Sequence, residues 1–140
     1  MNPSCQILSS VILFTTLLLP CRLTNADSTD TINRLLPALA RVESKNDPNA
    51  IGDGGAAIGI YQIHRVYWQD AVDFDNSLGG SYKDCFNPEY AKRVVRAYLK
   101  RYGSTTATVE QLARIHNGGP KGYTKRATIK YWKKIQKEMK

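Results

Sequence analysis

Apolar residues near the start of the chain recur at helical spacing. Between residues 30 and 44, one stripe at intervals of three and four holds Ile32, Leu36, Leu39 and Glu43. Pro37 removes a hydrogen bond from the interior of this helix, so the helix is predicted to kink or restart there. The pair Asp47-Pro48 then ends it, because the residue before a proline is disfavoured in a helix.

The clearest helix signals lie between residues 87 and 103. Asn87 is a good N-cap, Pro88 suits the first helical position and Gly103 is a typical terminator. A shorter helix is predicted before it, from about Arg65 to Asp73. The apolar stripe of the longer helix contains Ala91, Val94, Val95, Tyr98 and Tyr102. Its other side is predicted to be a solvated basic face with Lys92, Arg93, Arg96 and Lys100.

The last part of the chain predicts a short helix, a loop and an amphipathic helix. Thr108 and Gln111 have capping-box spacing, and the helix that they open is predicted to end near Ile115. The glycine-rich segment HNGGPKG that follows is predicted to be a loop. The final helix is predicted to bury a stripe with Ile129, Trp132, Ile135 and Met139.

One extended segment is predicted from Ala56 to Ile63, because AAIGIYQI is rich in β-branched and aromatic residues. The glycines just before it fit the spacing of a dinucleotide-binding loop. Such a loop needs a buried strand before it and a helix after it, and neither is predicted, which argues against nucleotide binding. Together the elements predict a mainly α fold of the α+β type, with one short β segment.

The first 26 residues are predicted to be a secretory signal peptide. Their apolar run, VILFTTLLLP, is too short to span a bilayer, and Thr24 and Ala26 place small residues where a signal peptidase reads them. Residues 27–140 are then one domain, since they are too few for two cores. We expect a secreted monomer that has no membrane span after signal cleavage.

The chain is strongly basic, with 20 Lys and Arg against 12 Asp and Glu and a net charge of +8. A secreted protein with this charge is attracted to anionic polymers such as bacterial walls. Specific nucleic-acid binding is not predicted, because the basic residues are spread over several helices and no recognised module is present. The two histidines and one distant cysteine have no metal-ligand spacing, so no metal or other cofactor is predicted.

Cys85 is the only cysteine of the predicted mature domain, because Cys5 and Cys21 lie in the signal peptide. No internal disulfide can therefore form. We expect a buried thiol that packs beside Phe86. A link to a second chain is the alternative.

Glu43 is the first candidate for chemistry. It continues the apolar stripe of its helix, so its carboxyl group is expected to point inward, where desolvation raises its pKa. The negative end of the helix dipole acts in the same direction. A carboxylic acid that keeps its proton near neutral pH suits general acid catalysis. An exposed helix-end glutamate, or one paired with Arg41 or Lys45, is the alternative.

Asp53 is the second candidate. It lies among glycines, where it is expected to be more solvated and more readily ionised than Glu43. The turns NDPN and GDGG can reverse the chain and bring the two together. Two carboxyl groups with different pKa values are the equipment of glycoside hydrolysis. The alternative is that Asp53 only caps a turn.

Four motifs, VES, NDPNA, GDGGAAIGIYQI and ARIHNGGP, resemble the lysozyme-like superfamily and most closely the invertebrate-type lysozymes. The resemblance extends from about Leu35 to Trp132. It implies a lysozyme-like fold and a bacteriolytic hydrolase that cleaves the β-1,4 bond between N-acetylmuramic acid and N-acetylglucosamine in peptidoglycan. It also implies that Glu43 is the proton donor and Asp53 the nucleophile or cation stabiliser.

The same resemblance implies the substrate contacts. A strand bordering the saccharide groove and its neighbour would supply Tyr61, Gln62, Ile63, His64 and Tyr67, and a loop would supply His116, Asn117 and Gly118. Amide, hydroxyl and imidazole groups suit the polar edges of sugars, and aromatic rings suit their apolar faces. Packing in the core remains the alternative for Tyr67, and it is the expected role of Trp68.

The sequence departs from the family in two respects and leaves two rival functions open. Invertebrate-type lysozymes are usually rich in disulfides, and GGAAIG lacks the serine of the members credited with isopeptidase activity. The pattern E-S, P-x-A and G-x-x-Q is also similar to lytic transglycosylases, which use the glutamate alone. A non-catalytic cationic protein that binds walls through Lys121, Lys125 and Arg126 is the rival from another class.

Overall fold

The computed structural model describes residues 28–140, so the predicted signal peptide lies outside the described residues. The mainly α prediction is confirmed: these residues form five α-helices and three short strands. The elements are α1 (Ser28–Ser44), β1 (Ile51–Gly52), β2 (Ala57–Ile58), β3 (Ile63–His64), α2 (Arg65–Phe74), α3 (Pro88–Tyr102), α4 (Val109–Gly118) and α5 (Ile129–Glu138). None of the helices in this part of the chain combines the length and the apolar content needed to cross a membrane.

Helix α1 lies at the centre of the domain, where it contacts α3, α4 and α5, while α2 packs along α3. Its predicted stripe is buried, and Ile32 and Leu39 are fully inaccessible to solvent. A restart of the helix at Pro37, one of the two outcomes predicted there, is wrong, because one helix runs through it. Pro37 lies on the exposed face, where water can satisfy the Asn33 carbonyl that the missing N–H leaves unpaired.

The predicted caps of α3 and α4 are confirmed. Asn87 Oδ1 accepts hydrogen bonds from the backbone of Glu89 at 2.9 Å and of Tyr90 at 3.2 Å. Thr108 and Gln111 cap each other reciprocally, with bonds of 2.8 and 3.2 Å. These bonds satisfy N–H groups that the first turn of a helix leaves free.

Helix α4 is longer than predicted, because it ends at Gly118 rather than near Ile115. The residue that stops it is Gly119, whose φ of 82° takes the chain out of the helix. The backbone N–H of Gly119 still donates to the Ile115 carbonyl at 2.9 Å. His116 and Asn117 are therefore in the last turn of a helix, and the prediction that they lie in a loop is wrong.

The predicted extended segment is a hairpin in a three-stranded antiparallel sheet of order β1-β2-β3. Ile51 pairs with Ile58, and Ile58 pairs with Ile63. The chain reverses between β2 and β3, where Gly59 and Gln62 have φ values of 74° and 48°. Predicting a single strand from Ala56 to Ile63 was therefore wrong, because Gly59 begins a turn.

The buried face of α5 also differs from the prediction. Tyr131 and Ile135 are the residues that this helix buries, whereas Ile129 is 38% exposed. Trp132 and Met139 are only partly buried against the core. The observed face points a tyrosine hydroxyl into the interior, toward the end of α1.

Cys85 is fully buried, as expected. Its burial raises the pKa of the thiol to about 12. It lies in a 3₁₀ turn, Tyr82–Phe86, that supports the sheet. The hydroxyl of Tyr82 donates to the Ala56 carbonyl at 2.9 Å and to the Ile63 carbonyl at 2.8 Å. These contacts fix the hairpin beside the helical core.

Candidate active site

Glu43 lies in the last turn of α1 and is largely enclosed, with 18% of its side chain exposed. The helix ends immediately after it, since Lys45 and Asn46 adopt φ values of 56° and 67°. Their backbone N–H groups donate back to carbonyls of the last turns of α1. The hydroxyl of Ser44 donates to the Ile60 carbonyl at 2.9 Å and so ties the end of α1 to the turn of the hairpin.

Two side chains from other helices contact the carboxyl group of Glu43. The hydroxyl of Tyr131 donates a 2.6 Å hydrogen bond to Oε1. Nε2 of His116 lies 3.5 Å from the same oxygen. Within residues 28–140, no hydrogen bond is donated to Oε2 of Glu43. The two oxygens therefore differ, since the protein holds Oε1 and donates no hydrogen bond to Oε2 within the described residues.

The prediction that the pKa of Glu43 is raised is wrong. Burial is the largest influence on this pKa and does raise it, as the sequence suggested. The hydrogen bond to His116, the charge of His116 when protonated and the hydrogen bond from Tyr131 together outweigh burial and lower the pKa. Both donors come from distant parts of the chain, so the helical stripe of α1 contained no sign of them.

His116 is held in place by a tyrosine that itself packs on a second tyrosine. Its Nδ1 lies 3.0 Å from the hydroxyl of Tyr67, and the two rings meet edge to face with centroids 5.3 Å apart. Tyr67 in turn stacks on Tyr98, with centroids 3.5 Å apart and planes inclined by 14°. When the Tyr67 hydroxyl donates to Nδ1, a neutral His116 carries its proton on Nε2 and points it at Glu43.

Asp53 begins the 3₁₀ turn Asp53–Gly55, between β1 and β2. Its φ of 50° is unusual for a residue with a side chain, and the following glycines continue the left-handed path with φ values of 64° and 98°. The side chain of Asp53 is 70% exposed, and Oδ2 lies 2.8 Å from Nε2 of His64. Its negative charge raises the pKa of Glu43, though less than any other influence on that group, so the two carboxyl groups are electrostatically coupled.

Three of the residues predicted to contact the substrate have side chains that are buried or hydrogen-bonded within the protein. Tyr61 and Ile63 are 4% and 1% exposed. The side-chain amide of Gln62 donates to the carbonyls of Gly59 at 3.0 Å and Ala50 at 3.2 Å, which closes the turn of the hairpin. Tyr61 and Gln62 are also in this turn and not in a strand as predicted.

The other residues predicted to contact the substrate lie in different parts of the structure. His64 is 49% exposed beside Asp53, whereas Tyr67 and His116 lie next to Glu43. Asn117 is exposed at the end of α4, and the Gly118 carbonyl accepts a 2.5 Å hydrogen bond from the amine of Lys125. The fold thus brings His64 to Asp53 and His116 to Glu43, whereas no contact within residues 28–140 joins Asn117 or Gly118 to either carboxyl group.

Sequence reasoning missed Tyr131. The apolar stripe predicted for α5 used its neighbour Trp132, and a tyrosine one position away gave no signal of a role. An alternative stripe through Tyr131 and Ile135, with a spacing of four, was present in the sequence. Only the packing of α5 against α1 decides between the two stripes.

A cavity of about 690 Å³ on the outer face of α5 is lined by Arg126, Ala127, Ile129, Lys130 and Lys133. It contains no carboxyl group, so it lacks the pair of carboxyl groups that glycoside hydrolysis uses. In the part of the chain that the structure describes, no three His, Cys, Asp or Glu side chains are grouped so as to hold a metal ion. The candidate active site is therefore the pair of carboxyl groups.

Comparisons with known proteins agree with this architecture. A family model described as Destabilase matches residues 33–138. The chain is 36% identical over 110 residues to a lysozyme of Meretrix lusoria, a match that covers 74% of this chain and 87% of that protein. The crystal structure of Tapes japonica lysozyme superposes with a TM-score of 0.64 and 31% identity, covering 74% of this chain and 87% of the other.

Identity is higher over shorter matches. The chain is 44% identical over 85 residues to a lysozyme of Magallana gigas, which covers 57% of this chain. It spans 58% of the length of that protein and of a lysozyme of Ostrea edulis. The lysozyme-like fold implied by the sequence motifs is confirmed by the structural matches.

Proposed function

This chain belongs to the Destabilase family of invertebrate-type lysozymes, and on that basis we propose that it is itself a lysozyme. The proposed reaction is hydrolysis of the β-1,4 bond between N-acetylmuramic acid and N-acetylglucosamine in bacterial peptidoglycan. The observation that carries the proposal is the contrast between Glu43, 18% exposed, and Asp53, 70% exposed, two coupled carboxyl groups in different environments.

Glu43 is the proposed general acid. When it is protonated, its proton lies on Oε2, because Oε1 already accepts the hydrogen bond from Tyr131. Oε2 then protonates the glycosidic oxygen. The carboxylate that forms is stabilised by Tyr131 and His116, which favours the loss of the proton in the transition state. A bound saccharide excludes water from Oε2, and this desolvation raises the pKa of Glu43 and helps it keep its proton until the reaction.

Asp53 is the proposed nucleophile or stabiliser of the sugar cation. Its exposure keeps the carboxylate solvated and available, and the hydrogen bond with His64 fixes the orientation of Oδ2. After the leaving group departs, Glu43 acts as a base on a water molecule that adds to the anomeric carbon, and Asp53 is released from that carbon as the carboxylate or ceases to shield its charge. Each carboxyl group thus has one task in each half of the reaction.

We propose that the other predicted residues contact the substrate in two ways, through their side chains or through the backbone. His64, Tyr67, His116, Asn117 and Gly118 border the saccharide on the two sides of the carboxyl pair. Tyr61, Gln62 and Ile63 contribute through the backbone of the hairpin, which their buried or hydrogen-bonded side chains hold in shape. This proposal needs no metal or organic cofactor.

The basic surface supports a role at bacterial walls. The outer face of α5 and the preceding turn carry exposed cations at helical spacing: Arg126, Lys130, Lys133, Lys137 and Lys140. Such a surface concentrates the protein on anionic polymers, an effect that salt screens. We propose that residues 27–140 act as a secreted, monomeric catalytic domain after removal of a signal peptide, residues 1–26.

Mass spectrometry of digested peptidoglycan tests the proposal. A lysozyme adds one water to each cleaved bond and leaves reducing N-acetylmuramic acid ends. A lytic transglycosylase leaves 1,6-anhydro ends that are lighter by that water. If all the ends were anhydro, the protein would be a transglycosylase and not a hydrolase. A purely cationic antimicrobial protein releases no fragments, and heat-treated protein would then still kill bacteria.

A further inference from the structure

A second surface cavity adjoins the carboxylate Asp53. It has a volume of about 370 Å³ and is lined by Gly55, Ala56, His64, Arg65, Val66 and Tyr82. His64 belongs to both places, since it forms the wall of this cavity and also contacts Oδ2 of Asp53 at 2.8 Å. Only the side chain of His64 therefore separates a group bound in the cavity from the proposed nucleophile, Asp53.

Arg65 is the charged group of this cavity, and it is held in a defined position. Its guanidinium carbon lies 4.5 Å from the centroid of the Tyr82 ring, in a cation–π contact. The Tyr82 ring is itself fixed, because its hydroxyl donates to carbonyls of the hairpin at 2.8 and 2.9 Å. The position of the guanidinium is thus linked to the sheet that carries Asp53.

The guanidinium of Arg65 has no acidic partner in the protein. Within residues 28–140, no aspartate or glutamate forms an ion pair with it, in contrast to Arg41 and Arg114, which pair with Glu138 and Glu110. Within the same residues the guanidinium donates no hydrogen bond, and its contact with the face of the Tyr82 ring leaves its N–H groups available to a ligand. A planar fork of donors of this kind fits a carboxylate.

The rest of the cavity lining is compatible with an aliphatic group that carries such a carboxylate. Val66 is 73% exposed, the highest value among the large apolar residues of the described chain, and it lies beside Arg65 in the cavity wall. Gly55 and Ala56 present backbone with little side-chain bulk. A cation next to a small apolar wall is suited to a lactyl or alanyl carboxylate and poorly suited to a neutral sugar ring.

We propose that this cavity binds a carboxylate on the substituent of the glycan chain, and that Arg65 makes the enzyme prefer substituted, acidic glycan. The inference rests on the proposed lysozyme function and adds a specificity site to it. N-acetylmuramic acid supplies such a carboxylate in the peptide attached to its lactyl group, or in the lactyl group itself where that peptide is absent. Chitin-type glycan has neither.

The test compares soluble peptidoglycan fragments with the same fragments after their carboxyl groups have been converted to amides. The wild-type protein is expected to cleave the native fragments with a kcat/KM about tenfold higher, mostly through KM, the order expected for a charge-assisted hydrogen bond. Arg65→Gln is expected to cleave both kinds at the rate of wild type on amidated fragments. Lys100→Gln, which removes an exposed charge from α3, is the matched control and keeps the preference.

Fragments with the peptides removed distinguish the two sources of the carboxylate. Removal of the peptide frees the lactyl carboxylate, so dependence on Arg65 persists on these fragments when the lactyl group is also bound, and disappears when only the peptide is bound. The proposal is overturned when Arg65→Gln retains the preference for native fragments, or when Lys100→Gln loses it to the same extent. If the wild type cleaves none of the fragments, the proposed lysozyme function itself is contradicted, and so is the inference that rests on it.

Discussion

The hydroxyl of Tyr131 donates a 2.6 Å hydrogen bond to Oε1 of Glu43, across 88 positions of sequence. This contact joins the first helix of the described chain to the last and places a buried donor on the carboxyl group proposed to be the general acid. His116, which has the larger effect, and Tyr131 together lower the pKa of Glu43 although burial alone would raise it. The hydrogen bond from Tyr131 also determines which oxygen of Glu43 is free to meet a substrate.

Tyr131→Phe is expected to extend activity to higher pH. The hydrogen bond from Tyr131 lowers the pKa of Glu43, so its loss raises that pKa, and Glu43 stays protonated at higher pH. The alkaline limb of the pH profile of kcat/KM on peptidoglycan fragments should move upward. Tyr123→Phe, at an exposed tyrosine, serves as control. An alkaline limb that stays in place, or moves to lower pH, would contradict the role assigned to Tyr131.

Glu43 is expected to make stability depend on pH. Its pKa in the folded protein lies below the ordinary glutamate value of 4.5, so the ionised carboxylate contributes stability that is fully present above pH 4.5 and is lost as the pH falls through the folded-state pKa. Glu43→Gln lacks this contribution. The difference in Tm, wild type minus variant, should be more positive at about pH 6 than at about pH 3. A difference that grows as the pH falls would show a raised pKa instead.

His64→Ala is expected to lower kcat on peptidoglycan by about fivefold, the order expected for one lost hydrogen bond, because Asp53 loses the partner that orients Oδ2. Asp53→Asn should cost more, since it removes the charge itself. His64→Gln keeps a donor and should recover part of the loss. Equal rates for His64→Ala and wild type would mean that the contact is incidental.

Cys85 is expected to be inert in the folded protein. It is fully buried, and its pKa is raised to about 12, so the reactive thiolate is scarce at neutral pH. In a chain that begins at residue 27, iodoacetamide should modify Cys85 only after denaturation, and Cys85→Ala should give no modification at all. Rapid labelling of the native protein would show that the thiol is accessible.

Local sequence signals were sufficient where a structure depends on neighbours in the chain. Asn87 and the pair Thr108 and Gln111 cap helices as predicted, because capping involves residues only two or three positions apart. The interior stripe of α1 followed from its spacing in the same way. The turn of glycines after Asp53 was also predictable, since positive φ values favour glycine.

The remaining features depend on contacts between distant parts of the chain. Whether α5 buries Tyr131 or Ile129 is decided by its packing on α1 and α4, which no window of a few residues contains. The direction of the pKa shift of Glu43 depends on His116 and Tyr131, which both follow it by more than seventy positions. Burial was the only influence visible in the sequence, and alone it gives the wrong sign.

The most direct test of the account is the rate at which Glu43→Gln releases fragments from purified peptidoglycan, with Glu89→Gln, at an exposed glutamate, as control. General acid catalysis predicts a loss of at least about 100-fold for Glu43→Gln and wild-type activity for the control. A Glu43→Gln protein that is folded and releases fragments at the wild-type rate would contradict the proposed mechanism.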